Sequence, residues 1–344
     1  MKKWLLLLSL VMYPAVPLLA QETLARVLPL LQKPAPTAQE TQQIFHVFRT
    51  AKDPNVIFAA GASLVKNPPA KPYESALFNQ ILSAQDPLKT TFSVIILTSM
   101  GAAYEEFIPL LQEALLSQDP VLRAYAAASY GLVNPTDRAY INDVVRLYIF
   151  DPAFAQRALN ILSVDANSQW KVLAQASQDK DPQVRAAAAA WMSNLHTPQA
   201  LEQLLKRTQK EKEPTVQTQL AMALAANQEQ ALPAVIDGLS TGYRKPAATT
   251  YALALAFMTG HSVSALKEAI LSTNKNRRIN ALRAVAYMAG LLSNPEGFAY
   301  SNDRDFDRHL LKSLVPQITA LAKNGSKAEQ EFAQNALTQI ERLM

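Results

Sequence analysis

A short phrase that recurs along the chain limits its possible folds more than any other feature. The phrase DPVLR at 119–123 returns as DPQVR at 181–185, and an alanine-rich run follows each copy. Weaker copies place a proline in the same register at positions 54, 87, 152, 214 and 246, so successive motif prolines lie 30 to 33 residues apart. Each interval accommodates two helices of about a dozen residues and two short turns. The sequence therefore predicts a stack of helix pairs.

The two residues that open the phrase have a local role at a helix start. An aspartate side chain can accept hydrogen bonds from the free N–H groups of the first turn, and a proline at the first helical position lacks only an N–H that has no partner there. We therefore predict that the second helix of each pair begins at a motif proline. This structural role is assigned to Asp119, Pro120, Arg123, Asp181, Pro182 and Arg185. The predicted pairs end near Val65, Met100, Leu132, Leu162, Leu195, Ala226 and Met258.

The pattern weakens toward the C-terminus. The eighth second helix has no Asp-Pro pair, but LRAVA at 282–286 resembles LRAYA at 122–126, which aligns Arg283 with Arg123. A ninth pair is predicted at 310–322 and 328–343.

Two prolines are expected inside first helices. Pro316 is placed in the helix 310–322, and Pro109 is placed in the same way in a helix over 104–116.

The predicted fold is all-α, a right-handed α-α superhelix of about nine helix pairs. No window shows the sustained alternation of a strand. Residues 21–344 are expected to form a single solenoid with an N-terminal cap at 22–37 and one interrupting loop at 293–305.

The first twenty residues have the pattern of a secretory signal peptide. Lys2 and Lys3 precede the apolar run 4–12, and Ala20 offers a cleavage site. An uncleaved anchor is the alternative, but Pro14 and Pro17 interrupt a stretch shorter than the ~20 residues of a spanning helix. The chain has no cysteine, which excludes disulfides and a lipid-bearing cysteine. We predict a periplasmic or secreted protein with no stable membrane insertion after cleavage.

The charge pattern does not favour a nucleic-acid partner. The formal net charge is +5, of which the two signal lysines contribute two, leaving +3. Basic residues at 206–212 alternate with Glu202, Glu211 and Glu213, which is typical of solvated helix faces rather than a basic stripe.

No constellation for catalysis is apparent. The four histidines are His46, His196, His261 and His309, which lie in different repeats without zinc-ligand spacing. With only nine glycines, no nucleophile elbow or phosphate-binding loop occurs. We predict no enzyme activity, no cofactor and no metal site.

The loop before the ninth pair is the main irregular segment. Asp303, Asp305 and Asp307 resemble the start of a calcium loop, but Arg308 replaces the turn glycine and Leu314 replaces the last glutamate. We favour an Asp-rich helix start, where carboxylates interact favourably with the N-terminal helix dipole, over a calcium loop. The segment 295–309 also carries Phe298 and Tyr300, so a binding loop for a carbohydrate or divalent metal is kept as the alternative function.

Three aromatic residues lie in the alanine-rich second helices. Tyr125 and Tyr251 occupy matching positions after their motif prolines, and Trp191 lies between them in the stack. Rings at these positions can line a groove that holds a partner, or they can belong to the core. We favour the core for Trp191 and leave both alternatives open for the tyrosines.

The phrase, its spacing and the proline in the first helix together resemble the HEAT-repeat family, in short units of about 32 residues similar to the phycobilisome-lyase-type repeats. The resemblance implies second helices along a concave groove and binding rather than chemistry. It also implies a ladder of acid–arginine contacts, which only Asp119, Arg123, Asp181 and Arg185 match, so a continuous ladder is not expected. The predicted function is a non-enzymatic exported scaffold that binds a protein or peptide partner, with Tyr125, Tyr251, Phe298 and Tyr300 as candidate contacts.

Overall fold

The computed structural model describes residues 18–162, 169–293 and 304–343, excluding the side chains of 18–23, 261, 304 and 306. These residues form α-helices, short 3-10 turns and loops, with no β-strand among them. The prediction of an all-α chain of stacked helix pairs is confirmed. Within the described ranges, no helix combines the length and the apolar character needed to cross a membrane.

The chain divides into two compact units, Met1–Gln169 and Trp170–Met344. The first unit contains a leading helix and four helix pairs. Its described helices are α1 (Leu18–Leu31), α2 (Ala38–Thr50), α3 (Pro54–Lys66), α4 (Glu74–Ser83), α5 (Pro87–Ser99), α6 (Ile108–Leu115), α7 (Pro120–Val133), α8 (Ile141–Leu147) and α9 (Pro152–Ile161).

The second unit contains the remaining pairs, of which the first begins at the boundary. Its described helices are α10 (Gln169–Ala176), α11 (Pro182–Met192), α12 (Pro198–Thr208), α13 (Pro214–Ala226), α14 (Gln228–Gly238), α15 (Pro246–Phe257), α16 (Val263–Ile270), α17 (Lys275–Ser293), α18 (Arg304–Lys312), α19 (Val315–Asn324) and α20 (Lys327–Glu341).

Each motif proline is the first residue of its helix, as predicted. The aspartates before them cap the helices: Asp119 Oδ1 accepts hydrogen bonds from the backbone N of Val121 (2.8 Å) and Leu122 (3.0 Å), and Asp181 Oδ1 accepts one from Gln183 N (2.8 Å). Glu213 makes no such bond for α13, because its carboxylate lies one methylene further from the backbone. The motif therefore sets where the second helices begin.

A second bond recurs at the same joint. The residue four positions after the cap donates a side-chain hydrogen bond to the carbonyl two positions before the cap, which closes the turn between the two helices. The bonds are Arg123 Nη1 to Ser117 O (2.6 Å), Arg185 Nη1 to Asp179 O (3.0 Å), Gln217 Nε2 to Glu211 O (3.1 Å) and Arg278 Nη1 to Ser272 O (2.6 Å).

This bond corrects the register predicted for the eighth pair. Asn274 caps α17, since its Oδ1 accepts from the backbone N of Asn276 (2.9 Å) and Arg277 (3.2 Å). Arg278, four residues after this cap, is the counterpart of Arg123, and Arg283 is not. The asparagine cap supplies the same acceptor as aspartate, so the missing Asp-Pro pair concealed the correct alignment.

Neither proline expected inside a first helix lies there. Pro109 stands in the first turn of α6, after a 3-10 turn at Glu105–Phe107, and Pro316 stands in the first turn of α19. The predicted helices 104–116 and 310–322 are therefore each broken before the proline, which has no N–H for an interior helix bond.

Unit 1 has a row of aromatic rings, of which Phe58 is partly exposed and the others are buried. Phe58, Phe92, Tyr125 and Phe154, called here the aromatic row, come from the four successive second helices, with neighbouring ring centroids 5.1, 6.2 and 6.4 Å apart. The second helix of the first pair, α3, also contacts that of the fourth, α9. The interior of this unit is thus filled by its own side chains.

Unit 2 has a charged junction between α11 and α13. Glu211 is only 2% exposed and accepts from Arg185 Nε (3.0 Å) and Nη2 (3.1 Å) and from Arg207 Nη2 (2.5 Å). Its carboxylate also accepts from the backbone N of Lys212 (3.0 Å) and Glu213 (2.9 Å). Although burial opposes ionisation, these donors together lower the pKa of Glu211 to about 2. We call this group the Glu211 junction; it joins one repeat to the next.

Candidate functional site

The second helices of unit 2 leave one face partly open. Thr249 and Leu253 lie one turn apart on α15, Arg283 and Tyr287 lie one turn apart on α17, and Phe332 lies on α20; all five are partly exposed. Residues four apart share one side of a helix. The first helices α14 and α16 also pack against α15 and α17. We call the surface formed by these five residues the open face.

Two arginines and two aromatic rings alternate at the edge of this face. The Cζ of Arg283 lies 5.0 Å from the ring centroid of Phe332, the Phe332 and Tyr243 centroids are 6.3 Å apart in an edge-to-face arrangement, and the Cζ of Arg244 lies 5.4 Å from the Tyr243 centroid. These distances are those of cation–π and aromatic pairs. We call the four residues the arginine–aromatic cluster.

The loop that carries Tyr243 is held by hydrogen bonds from α17. The side chain of Asn280 is fully buried, and its Nδ2 donates to Leu239 O (2.8 Å) and Thr241 O (2.8 Å). Arg283 Nη2 donates to Tyr243 O at 2.8 Å. Two residues of α17 thus hold the loop between α14 and α15, so the cluster is organised before any ligand arrives.

The electrostatic surroundings of Arg283 differ from those of its neighbour Arg278. Arg278 Nε lies 2.5 Å from Glu329 Oε1. Arg283 Nη1 instead donates to two neutral oxygens, Thr249 Oγ1 (3.3 Å) and Asn280 Oδ1 (3.5 Å). Burial lowers the pKa of Arg283, and Tyr287 opposes this only in part. The cluster therefore presents positive charge in a partly desolvated setting.

Such a surface is suited to recognition of a partner. Tyr, Trp and Arg are enriched among the residues that dominate binding energy at protein interfaces, because they bury large rigid surfaces and donate directed hydrogen bonds. The cluster offers two rings and two guanidinium groups over one continuous surface.

Both candidate tyrosines are core residues, which corrects the interpretation that they contact a partner. Tyr125 is 1% exposed within the aromatic row, and Tyr251 is 3% exposed. Gln209 Nε2 donates to the Tyr251 hydroxyl at 2.6 Å, and burial raises the pKa of this hydroxyl. A Cβ at Gly238 would lie 2.6 Å from the Tyr251 ring, so glycine is needed for the ring to fit. Trp191, expected in the core, is 1% exposed.

The other predicted contacts cannot be placed in the same way. Phe298, Tyr300 and Asp303 lie outside the described residues, so the binding loop stays a prediction. Of the remaining acids, Asp305 is exposed and pairs with Arg308 at 3.2 Å, whereas Asp307 is buried. In the part of the chain that the structure describes, no group of three or more histidine, aspartate or glutamate side chains is arranged to hold a metal ion.

Three of the four histidines have described side chains. His46, His196 and His309 are exposed, and the side chain of His261 is outside the description. His196 Nδ1 lies 3.2 Å from Asn227 Oδ1, beside an open cavity of about 410 Å³ at the start of α14.

Sequence reasoning missed the arginine–aromatic cluster because of the register error in the eighth pair. The predicted alignment of Arg283 with Arg123 gives Arg283 a role in the turn between the two helices of a pair. In the correct register it stands eight residues after the first residue of α17, where α11 has alanine at position 190. An arginine among alanines at such a position was the available signal. The approach of Tyr243 and Phe332 depends on tertiary packing and has no local signature.

Comparisons with known proteins point to one kind of repeat. Residues 143–225 and 171–256 match the family described as HEAT repeats. The solved structure of Kap121p is similar over 88% of this chain and 41% of its own, with 12% identity and a TM-score of 0.38, and a mutant of Kap121p gives the same values. An engineered protein is similar over 79% of this chain and 97% of its own, with 18% identity and a TM-score of 0.22. This chain thus spans less than half of Kap121p. No curated protein matches the sequence.

Proposed function

Because this chain carries HEAT repeats, as the resemblance predicted, we propose that it is a non-enzymatic exported adaptor that binds a protein partner on the open face of unit 2. The observation that carries the proposal is the arginine–aromatic cluster. Arg283, Tyr243 and Phe332 are half-buried, Arg244 is exposed, and Asn280 fixes the loop that carries Tyr243. Stacked repeats present extended surfaces of this kind to other proteins.

The physical argument favours a protein over a small molecule. The open face runs across α15, α17 and α20, so a partner can contact three successive repeats at once. Small ligands are usually held in enclosed, mostly apolar clefts, whereas the cluster lies on a surface. A partner residue that packs on Phe332 would bury the ring beside a positive charge, which is typical of a dominant contact.

Export is the second part of the proposal, and it rests on the N-terminal sequence. The basic start, the apolar run and the small residue at Ala20 support removal of residues 1–20 by a signal peptidase. The intact mass of the chain recovered from the culture medium or periplasm is expected to correspond to a protein that begins at Gln21. A recovered chain that retains residues 1–20 would contradict export by this route.

Site-specific crosslinking in the producing cell tests the binding surface. A photo-crosslinking residue at position 253, on the open face, is expected to give a discrete adduct with a second protein, while the same residue at exposed position 230 on α14 serves as the matched control. Adding Phe332→Ala to the position-253 chain should reduce the adduct strongly, since loss of a dominant contact weakens binding by about 30-fold or more. Identical adducts from both positions, no adduct from position 253, or full yield in the Phe332→Ala chain would refute the site.

A further inference from the structure

The chemistry of the partner can be inferred from the hydrogen bonds that Arg283 makes and from those that it does not make. A guanidinium group has five N–H donors. Arg283 uses two bonds from Nη1 and one from Nη2, and every acceptor is a neutral oxygen. Within the described residues, its Nε and its second Nη2 hydrogen have no acceptor, and no carboxylate lies within ion-pair distance. The Nε–H and one Nη2 hydrogen are therefore available to a further acceptor.

The same edge binds a carboxylate elsewhere in this protein. At the Glu211 junction, Arg185 donates from Nε to Glu211 Oε2 (3.0 Å) and from Nη2 to Glu211 Oε1 (3.1 Å). This two-bond geometry is the strong form of arginine–carboxylate recognition. Arg185 and Arg283 both donate from Nη1 to neutral oxygens, so they differ mainly in whether the Nε edge has an acid.

No nearby acid of the described residues takes this role. Glu329, one turn before Phe332 on α20, accepts from Arg278 Nε (2.5 Å) and from Ser326 Oγ (2.6 Å) and is thereby engaged. The second guanidinium of the cluster, Arg244, is exposed and pairs with no acid of the described residues. Among the described residues, the surface thus carries two positive charges without a negative partner.

We propose that the open face recognises an acidic protein segment, with an Asp or Glu side-chain carboxylate bound to the Nε edge of Arg283 and an adjacent apolar side chain packed on Phe332 and Tyr287. Arg244 attracts a second acid of the segment at the rim. The proposal rests on the proposed function and specifies the chemistry of its partner. Because the cluster is already organised, the carboxylate gains charge-assisted hydrogen bonds with little ordering of the site.

Peptide selection on the mature chain tests this chemistry. A library of random 12-residue peptides is panned against residues 21–344, and selected sequences are made with amidated C-termini. We expect peptides with Asp or Glu beside an apolar residue. Matched peptides with Asn or Gln at the acidic positions, called here the neutral twins, should bind about 10- to 100-fold more weakly, because they lose hydrogen bonds to a charged group. Binding of the acidic peptides should also weaken with added salt.

Variants of the chain distinguish carboxylate recognition by Arg283 from general binding to the open face. Arg283→Gln should weaken binding of the acidic peptides by the same factor as replacing the peptide's acid by its amide. Arg342→Gln, which removes an exposed arginine near the end of α20, should change peptide binding little. Circular dichroism verifies that each variant is folded.

Each other outcome has a distinct meaning. If acidic peptides and their neutral twins bind equally and Phe332→Ala abolishes both, the carboxylate proposal is wrong and the protein-binding surface stands. If no peptide is selected, or if the selected peptides bind the Arg283→Gln and Phe332→Ala variants as tightly as the wild type, then both proposals fail. C-terminal recognition would appear as binding only to peptides with a free C-terminus, and it too would overturn the inference.

Discussion

Replacing Glu211 by glutamine tests whether the Glu211 junction holds two repeats together. The substitution keeps the size of the side chain and an oxygen acceptor, but it removes the negative charge that faces Arg185 and Arg207. Both arginines are largely buried, with 12% and 18% of their side chains exposed. Two buried cations would then lose their acid, and removal of one partner from a buried pair costs about 3 to 5 kcal/mol.

The lowered pKa of Glu211 expresses the same interaction as a dependence on pH. It falls from an ordinary value of 4.5 to about 2, and each pKa unit corresponds to about 1.4 kcal/mol, so the ionised junction contributes about 3 kcal/mol. Because the folded-state pKa is depressed, this contribution is present above pH 4.5 and is lost as the pH falls toward 2. Glu211→Gln should therefore lower the free energy of unfolding by about 3 kcal/mol at pH 7 and by much less near pH 2.

Tryptophan fluorescence gives a local assay. After removal of residues 1–20, the chain keeps Trp170 and Trp191, and both belong to unit 2. Urea unfolding monitored by this signal, at pH 7 and at pH 3, compares the wild type with Glu211→Gln. Glu202→Gln, an exposed glutamate of α12, is the control and should change the free energy of unfolding by less than about 0.5 kcal/mol. A loss below about 1 kcal/mol at pH 7, or an equal loss at both pH values, would refute the account of the junction.

Three further predictions follow from single contacts. Glu213→Asp should raise the free energy of unfolding of unit 2 by about 0.5 to 1 kcal/mol in urea, because the shorter side chain can cap α13; no gain would contradict this. Asp151 is 3% exposed, and its Oδ2 has no hydrogen-bond partner among the described residues. Burial raises its pKa above 3.8 although the charge of Lys66 opposes the shift, so ionisation of Asp151 disfavours the folded state as the pH rises. The Asp151→Asn variant should therefore be about 1 kcal/mol more stable at pH 7. Its free energy of unfolding, followed by circular dichroism, should vary less between pH 4 and pH 7 than that of the wild type, and an unchanged pH dependence would disprove the assignment. Gly238→Ala should lower the free energy of unfolding by about 1 to 3 kcal/mol through contact with the Tyr251 ring. Gly290→Ala, whose Cβ would meet no atom of the described residues, should raise it by up to about 1 kcal/mol. Equal shifts of the two variants in thermal melts would argue against the Tyr251 contact.

The helix starts could be predicted because their causes are local. A proline and the acid before it determine the first turn through bonds between neighbours in sequence, and the seven motif prolines all begin helices. The same local reasoning failed for Pro109 and Pro316, where a helical apolar pattern continues across a break. Periodicity indicates which residues face the core, but it does not show where the backbone N–H groups have partners.

The site could not be predicted because it depends on packing between repeats. Tyr125 and Tyr251 stand at matching positions, and alanines around them make every side of the helix look apolar, so their burial required the structure. The cluster unites a loop residue, Tyr243, with Phe332 on a helix 89 residues later. Of its members, only Arg283 carried a signal in the sequence, as a charged residue among alanines.

The contact between α3 and α9 has a mechanical consequence. In a stack where each pair touches only its neighbours, pairs can be lost one after another from an end. In unit 1 this contact ties the first pair to the fourth, and release of either pair would expose the aromatic row to water. Stretched from its ends, unit 1 is expected to resist and then yield in a single step.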